Sequence, residues 1–469
     1  MTAELTRSGR MRAGREARKR TPRSSHAAWQ PFAGRPDPVA LLEGQARTRI
    51  AELVPIRYGR MIASQFAFFR GGALLMASDL AHTPDCGLRV QVSGDAHLSN
   101  FGAFGSPERE LIFDVNDFDE TLPGPWEWDV KRLAASIAVA GRERGFSGAA
   151  RRRLLLGAVR RYREAMRRFA GMGNLEVWYS VLSADALSEA ISGLRKRRRE
   201  ELSSRVGEAA EKARAKDSMR AVSKLTTRQD GHLQIVSDPP MIVRAAELLP
   251  PGEASNLTGI MDRLLGAYRA TLQPDRRLLL EGYRFVDIAR KVVGVGSVGT
   301  RCWILLLEGR SAARDPLFLQ FKEAQASVLE SFAPHSPFEN HGRRVVEGQR
   351  LMQSASDILL GWLHAEEGVG EGPFDFYGRQ LWDWKFSVEI DALTPRQMGA
   401  YVELCAWTLA RAHARSGDRV AIASYLGSGD VFDGAIADFA ELYADQNERD
   451  HEALVAAVKS GRVTAQSGV

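Results

Sequence analysis

Three apolar runs rich in β-branched and aromatic residues, 285–293, 302–307 and 317–321, follow one another with only glycine and proline signals between them. Runs of strand length joined by short turn-forming segments fold as antiparallel hairpins. This block therefore predicts a β-rich unit in a chain that otherwise reads as helical. Ahead of it, residues 39–80 carry helix-like spacing that Thr83-Pro84-Asp85 breaks. Short strands are expected at 88–92 and 111–113, and a helix at about 128–140 after the Pro-Gly-Pro break at 123–125. Residues 147–230 read as helices rich in Arg, Glu and Ala, and residues 231–275 as a turn at Asp238-Pro239-Pro240 followed by another helix. Behind the block, a helix at 343–354, strands at 358–364 and 376–381, and helices at 397–414 and 435–458 complete the chain. The expected fold class is α+β with two lobes. Residues 1–36 form a disordered basic tail and 37–280 a helical lobe. Residues 281–395 form a β-rich lobe, and 396–469 are helices that return to pack on the helical lobe.

Charge and cysteine content narrow the function classes. The balance of 64 Lys+Arg against 58 Asp+Glu leaves +6, compatible with nucleic acid and equally with a protein that binds polyphosphate. The arginines of the first 36 residues read as a solvated tail, with a nucleic-acid role as the less favoured alternative. The run Arg195-Lys196-Arg197-Arg198-Arg199 lies between acidic positions without interleaved aromatics, which suits a solvated helical face better than base stacking. Cys86, Cys302 and Cys405 are odd in number and far apart, so neither a disulfide scaffold nor a Cys-x-x-Cys zinc site is expected, and a reducing cytoplasm is the default setting. No run approaches the ~20 apolar residues of a membrane span, and no apolar segment follows the N-terminal arginines as in a secretory signal.

Three clusters can carry chemistry. In Gly94-Asp95-Ala96-His97-Leu98-Ser99-Asn100, a strand ends on an Asp and a loop of small residues carries an Asn. A second apolar strand then delivers Asp117-Phe118-Asp119. Magnesium takes hard oxygen ligands, commonly one or two carboxylates plus phosphate oxygens, and a further Asp free of metal can take a proton from an acceptor hydroxyl. Each of these residues singly has an Asx-turn alternative. The second cluster is Gly294-Val295-Gly296-Ser297-Val298-Gly299, which joins two strand-like runs. A glycine hairpin can fold over phosphates, and it can also be a plain turn needing positive φ. The third is Lys322 in the apolar strand 317–324. A buried lysine needs a partner, and Glu347 on the next helix is the candidate, with Glu330 and Glu339 as rivals. His97 reads as a loop-bracing hydrogen bonder, and His413 as a cap or core residue. Trp382-Asp383-Trp384 reads as aromatic core or as a hinge against a base.

Gly94 to Asn100 resembles the H-G-D-x-H-x-x-N catalytic loop of aminoglycoside and choline phosphotransferases, and its Asp-to-Asn offset matches the H-R-D-x-x-x-x-N loop of protein kinases. Asn116-Asp117-Phe118-Asp119 is similar to their metal-binding I-D-F-[DEG] segment. Pro125-Trp126-Glu127-Trp128-Asp129, running into Val130 to Ala134, is similar to the P-x-x-x-D-L-A stretch whose Asp braces the loop. Residues 45–455 as a whole resemble the bacterial family called domain of unknown function 2252, through 64–76, 92–137, 288–330, 343–360 and 438–450. There are departures. Ser93 stands where the loop has its leading His, Asp114 competes with Asp117 as the metal Asp, and the glycine hairpin follows the catalytic loop instead of preceding it. The resemblance implies a circularly permuted kinase-like fold that uses ATP and Mg²⁺. Asp95 is then the base, and Asn100 and Asp117 the metal ligands. Gly294, Gly296, Ser297, Gly299 and Lys322 bind phosphate, Glu347 fixes Lys322, and Asp129 supports the loop. In the permuted fold the helix ahead of the catalytic loop is either 61–80 or 397–414. The implied activity is phosphotransfer to an unidentified hydroxyl acceptor. Nucleotidyl transfer, a nucleotide sensor and a basic nucleic-acid binder are the alternatives.

Overall fold

The computed structural model describes residues 6–183, 218–229, 232–250, 256–310, 315–366, 372–381, 384 and 386–468. The expected basic run 195–199, together with Trp382 and Asp383, lies outside them. The architecture is α+β. In the N-terminal half, β1 (Arg89–Val92) pairs antiparallel with β4 (Leu122–Pro125), and β2 (Phe101–Gly105) with β3 (Leu111–Val115). The expected break at 123–125 is thus an edge strand, where proline costs no ladder bond. The helix Trp126–Glu143 follows and is buried along nearly its whole length. It lies among the helices Gly148–Gly171, Pro395–Ser416 and Val431–Lys459, so the C-terminal helices close the core of the N-terminal half.

The β-rich half is larger than its sequence boundary. A hairpin of β5 (Thr226–Gln229) and β6 (His232–Ile235) precedes β7 (Ile242–Arg244). After β7 come β8 (Arg284–Lys291), β9 (Cys302–Glu308), β10 (Pro316–Ala324), β11 (Gly361–Ala365) and β12 (Phe374–Gln380). These six form one antiparallel sheet in the order β11-β12-β10-β9-β8-β7. Side chains alternate across a strand, so Leu305, Leu307, Leu319 and Phe321 pack in the cluster of the helix Leu257–Ala270, while Ile304, Leu306 and Phe318 pack in that of the helix Ser218–Leu225. A sheet covered on both faces reads as an unbroken apolar run, which is why 302–307 shows no alternation. The expected boundary at residue 280 moves accordingly: the elements from Ser218 to Glu281 cover or extend the sheet. The last strand, β13 (Phe386–Ser387), crosses back to pair with β2.

The expected disordered tail is also corrected. Arg7–Arg20 is a helix docked on the helix Arg419–Leu426, with Gly14 and Ala17 buried. A side chain at Gly14 would collide with the carbonyl of Ala421. Arginines in and just after it anchor this segment: Arg18 Nε donates to the Tyr425 carbonyl (2.8 Å), and Arg23 to that of Leu426 (2.5 Å). Arg35 forks between Asp79 (2.7 Å) and Asp450 (2.6 Å).

Candidate functional site

The loop after β1 is held by one face of the helix Trp126–Glu143. Asp129, in its first turn, accepts the backbone N–H groups of Ser93 (2.7 Å) and Gly94 (3.0 Å). One turn on, Arg132 binds Asp95 Oδ1 through Nε (2.8 Å) and Nη2 (2.6 Å), and a further turn on, Ser136 Oγ accepts the Leu98 N–H (3.1 Å). Positions i, i+3 and i+7 share a helix face, so the loop is tied at three points to one rigid rod. The helix Pro395–Ser416 adds two ties: His413 Nε2 lies 3.1 Å from Asp129 Oδ2, and the Tyr401 hydroxyl donates to the Leu98 carbonyl (2.7 Å). Gly94 has φ +78°, and a Cβ there would strike the Glu120 carbonyl. Asn100 Nδ2 donates to the Asp95 carbonyl (2.7 Å), leaving its Oδ1 as the open acceptor.

Burial raises the pKa of Asp95, and Arg132 and Arg70 oppose that rise. His97 is buried beside it, with Nε2 3.6 Å from Asp95 Oδ2. Burial and Arg132 push its pKa far down, so the ring is neutral. The bracing expected of His97 is made by its main chain, whose carbonyl accepts the Asn100 N–H (2.9 Å); its Nδ1 makes no hydrogen bond.

The acidic segment divides by environment. Asp114 is buried, with Oδ1 on Arg411 (2.5 Å) and Oδ2 on both the N–H and the hydroxyl of Ser354 (2.8 Å each), so it joins β3 to two neighbouring elements. Asp119 accepts from Lys322 Nζ (2.5 Å), the Tyr377 hydroxyl (2.6 Å) and Ser297 Oγ (3.2 Å). Asp117 is less committed: Oδ1 accepts the Asp119 N–H (3.1 Å), and Oδ2 stands 3.6 Å from Lys322 Nζ. Burial and the neighbouring Asp119 charge raise Asp117. Burial would raise Asp119 as well, but Lys322 and Tyr377 outweigh it and hold its pKa below the usual value.

Lys322, on β10, is buried. Burial alone would lower its pKa, yet Asp117 and Asp119 keep it well above the usual lysine value. The expected partner Glu347 is a correction. It sits half-exposed on the helix His341–Met352 and pairs with Arg350 (3.7 Å). That helix turns Arg344 inward instead, and Arg344 binds the carbonyls of Thr121 (2.7 Å), Asp119 (2.8 Å) and Gln325 (2.8 Å). The rival Glu330 caps the turn at Ser327 (3.1 Å), and Glu339 is exposed. The glycine segment connects the paired strands β8 and β9, and Val295–Ser297 form a short 3-10 turn in it. Of its glycines only Gly299 has positive φ (+89°).

These groups line a cleft of about 620 Å³ between the two halves. Asp95, Asn100, Asp117 and Asp119 face it from one side, and Gly294, Gly296, Ser297 and Lys322 from the other. Sequence reasoning missed Arg132, Tyr377, Arg379 and Arg70. Arg132 was open to discovery, three residues beyond Asp129 on the same helix face. Tyr377 was not, because it meets Lys322 only through the β10–β12 register that pairs the two. Trp384, from the proposed hinge, lies under the Arg109 guanidinium at 4.0 Å.

Among the described residues, no three His, Cys, Asp or Glu side chains are grouped to hold a metal ion. The donors that fit a hard cation are Asn100 Oδ1 and the Asp117 carboxylate, and such a site draws its remaining oxygens from a ligand. Cys86, Cys302 and Cys405 are free and buried. No helix among the described residues is long and apolar enough to cross a membrane.

Fold and cleft together define an α+β protein with a mixed-charge site between a helical half and an antiparallel sheet. The chain belongs to the family described as "Uncharacterized protein conserved in bacteria (DUF2252)", whose model matches residues 49–457. No curated protein and no solved structure matches it.

Proposed function

We propose that the protein is an ATP- and Mg²⁺-dependent phosphotransferase with a circularly permuted, kinase-like two-lobed fold, acting on a hydroxyl acceptor in the cytoplasm. The observation that carries the reading is the meeting of Lys322 with Asp117 and Asp119 in the cleft that Asp95 and Asn100 also line. The order within the sheet supports it. A glycine segment joins β8 to β9, the lysine lies on the next strand, and a helix comes before β11. Kinases place the glycine loop, the β3 lysine and the αC helix in that order. Support for the permutation comes from the helix Pro395–Ser416, which returns from the far end of the chain to brace the Asp95 loop through His413 and Tyr401.

In this reading Arg132 orients Asp95, whose Oδ2 faces the acceptor. The acceptor hydroxyl gives its proton to Asp95 while its oxygen bonds to the γ-phosphorus. The bond from that phosphorus to the β–γ bridging oxygen breaks, and ADP leaves. Lys322 holds phosphate oxygens, and Asn100 with Asp117 would hold Mg²⁺, which supplies neutralisation of phosphate charge. The raised pKa of Asp95 makes its carboxylate a better proton acceptor than an ordinary aspartate. Positioning and fixed charge supply most of the rate. Asp119, saturated by Lys322, Tyr377 and Ser297, takes over the lysine-fixing role that Glu347 lacks.

The test is turnover of ATP by wild type and Asp95→Asn, with the nucleotide product identified. ADP formation lost in the variant at unchanged ATP affinity is expected. Full activity in Asp95→Asn removes the proposed base, and AMP in place of ADP moves the protein to nucleotidyl transfer.

A further inference from the structure

Arg70 stands in the last turn of the helix Gln65–Gly71, which Ser64 caps by accepting the Ala67 N–H (3.1 Å). The turn is locked to the catalytic loop. Arg132, which holds Asp95, also donates to the Phe69 carbonyl (2.9 Å) and stacks over the Phe69 ring (4.1 Å). On its other side Arg70 meets the glycine segment. A methyl group added to Gly296 would lie 3.5 Å from the Arg70 carbonyl, and one added to Gly294 would lie 4.0 Å from Arg70 Nη2. The guanidinium therefore stands between the glycine segment and Asp95, and it lines the cleft.

The other arginines here are engaged. Arg132 binds Asp95, Arg344 three carbonyls, Arg379 the Asn116 carbonyl (3.2 Å) and Arg49 the Val298 carbonyl (2.5 Å). Arg70 is half-buried, its Nε is buried without an acceptor, and Asp95 and Asp391 act on it only at a distance. A guanidinium nitrogen withdrawn from water without a hydrogen bond is costly, and an anionic ligand in the cleft offers the acceptor that Nε lacks. The planar fork of arginine matches phosphate oxygens.

We propose that Arg70 binds the terminal phosphate of the nucleotide, in the space between the glycine segment and Asp95 through which the transferred group passes. This rests on the phosphotransferase reading above. It adds a residue in cis that recognises the group lost on going from ATP to ADP, and that stabilises the charge on this group as it moves.

The experiment is equilibrium binding of Mg·ATP and Mg·ADP to the full chain, for wild type, Arg70→Gln, Arg70→Lys and Lys322→Ala, with unliganded unfolding midpoints measured alongside. Arg70→Gln is expected to lose about 10- to 100-fold in ATP affinity, the worth of one charge-assisted hydrogen bond, while ADP affinity changes less than about threefold. Arg70→Lys keeps the charge without the fork, and a smaller loss confined to ATP is expected. It carries the test if the glutamine variant does not fold. Equal losses for ATP and ADP, or no change in either variant, overturn the role of Arg70 alone, provided that wild type binds nucleotide and Lys322→Ala does not. Wild type binding neither nucleotide overturns the phosphotransferase reading and this proposal with it.

Discussion

Replacing Asp129 by alanine tests whether the Asp95 loop is held as described. The carboxylate is 1% exposed and accepts two backbone N–H groups at 2.7 and 3.0 Å, with His413 at 3.1 Å. A hydrogen bond to a charged group contributes about 1.5–3 kcal/mol. Losing both N–H bonds therefore costs about 3–6 kcal/mol, and the orphaned donors stay buried. Total stabilities of about 5–15 kcal/mol make that a large fraction. Asp129→Asn keeps one acceptor but turns an NH₂ group toward a donor, so about half the loss is expected. Urea unfolding at pH 7, followed by circular dichroism, reads both variants as a lower midpoint at unchanged slope. An Asp129→Ala midpoint within about 1 kcal/mol of wild type would refute the claim that this residue holds the loop.

Three further outcomes follow from the geometry. Gly94→Ala forces a side chain into φ +78° and against the Glu120 carbonyl, so a loss of at least about 2 kcal/mol is expected in the same assay. Burial pushes the Glu120 carboxyl up to about 7, against the pull of the Val328 N–H. Its folded pKa lies above the unfolded value, so its contribution is complete below about 4.5 and lost as pH rises through 7. Wild-type stability should therefore fall relative to Glu120→Gln by at most about 3 kcal/mol between pH 5 and 8, and a constant difference across that range would contradict the assignment. Arg35→Met leaves Asp79 and Asp450 buried without their shared cation, with an expected cost of about 3–5 kcal/mol; an unchanged thermal midpoint would return the N-terminal segment to a solvated tail.

The strands β8 to β10 were legible because helices cover both faces of the sheet, which demands unbroken apolar runs. The Asp95 loop stood out because Asp95, Asn100 and the bracing Asp129 lie at short-range spacings in the sequence. The partner of Lys322 was not. Which residue of the helix His341–Met352 points inward depends on how that helix is rolled against β12, and the roll that buries Arg344 leaves Glu347 half in solvent. The N-terminal arginines were misread because bonds from Arg18 and Arg23 to distant carbonyls leave no periodic trace. β7 is three residues long and joins the sheet only by pairing with β8, so residue 280 passed for a boundary.

Thermal unfolding with and without Mg·ATP, on wild type and Lys322→Ala, tests the central claim most directly. Ligand at about 100 times its Kd stabilises the native state by roughly 2.7 kcal/mol, a visible shift in midpoint. The account predicts a magnesium-dependent upward shift in wild type that Lys322→Ala loses, each protein compared with its own unliganded midpoint. No shift at millimolar nucleotide, or an equal shift in both proteins, would contradict it.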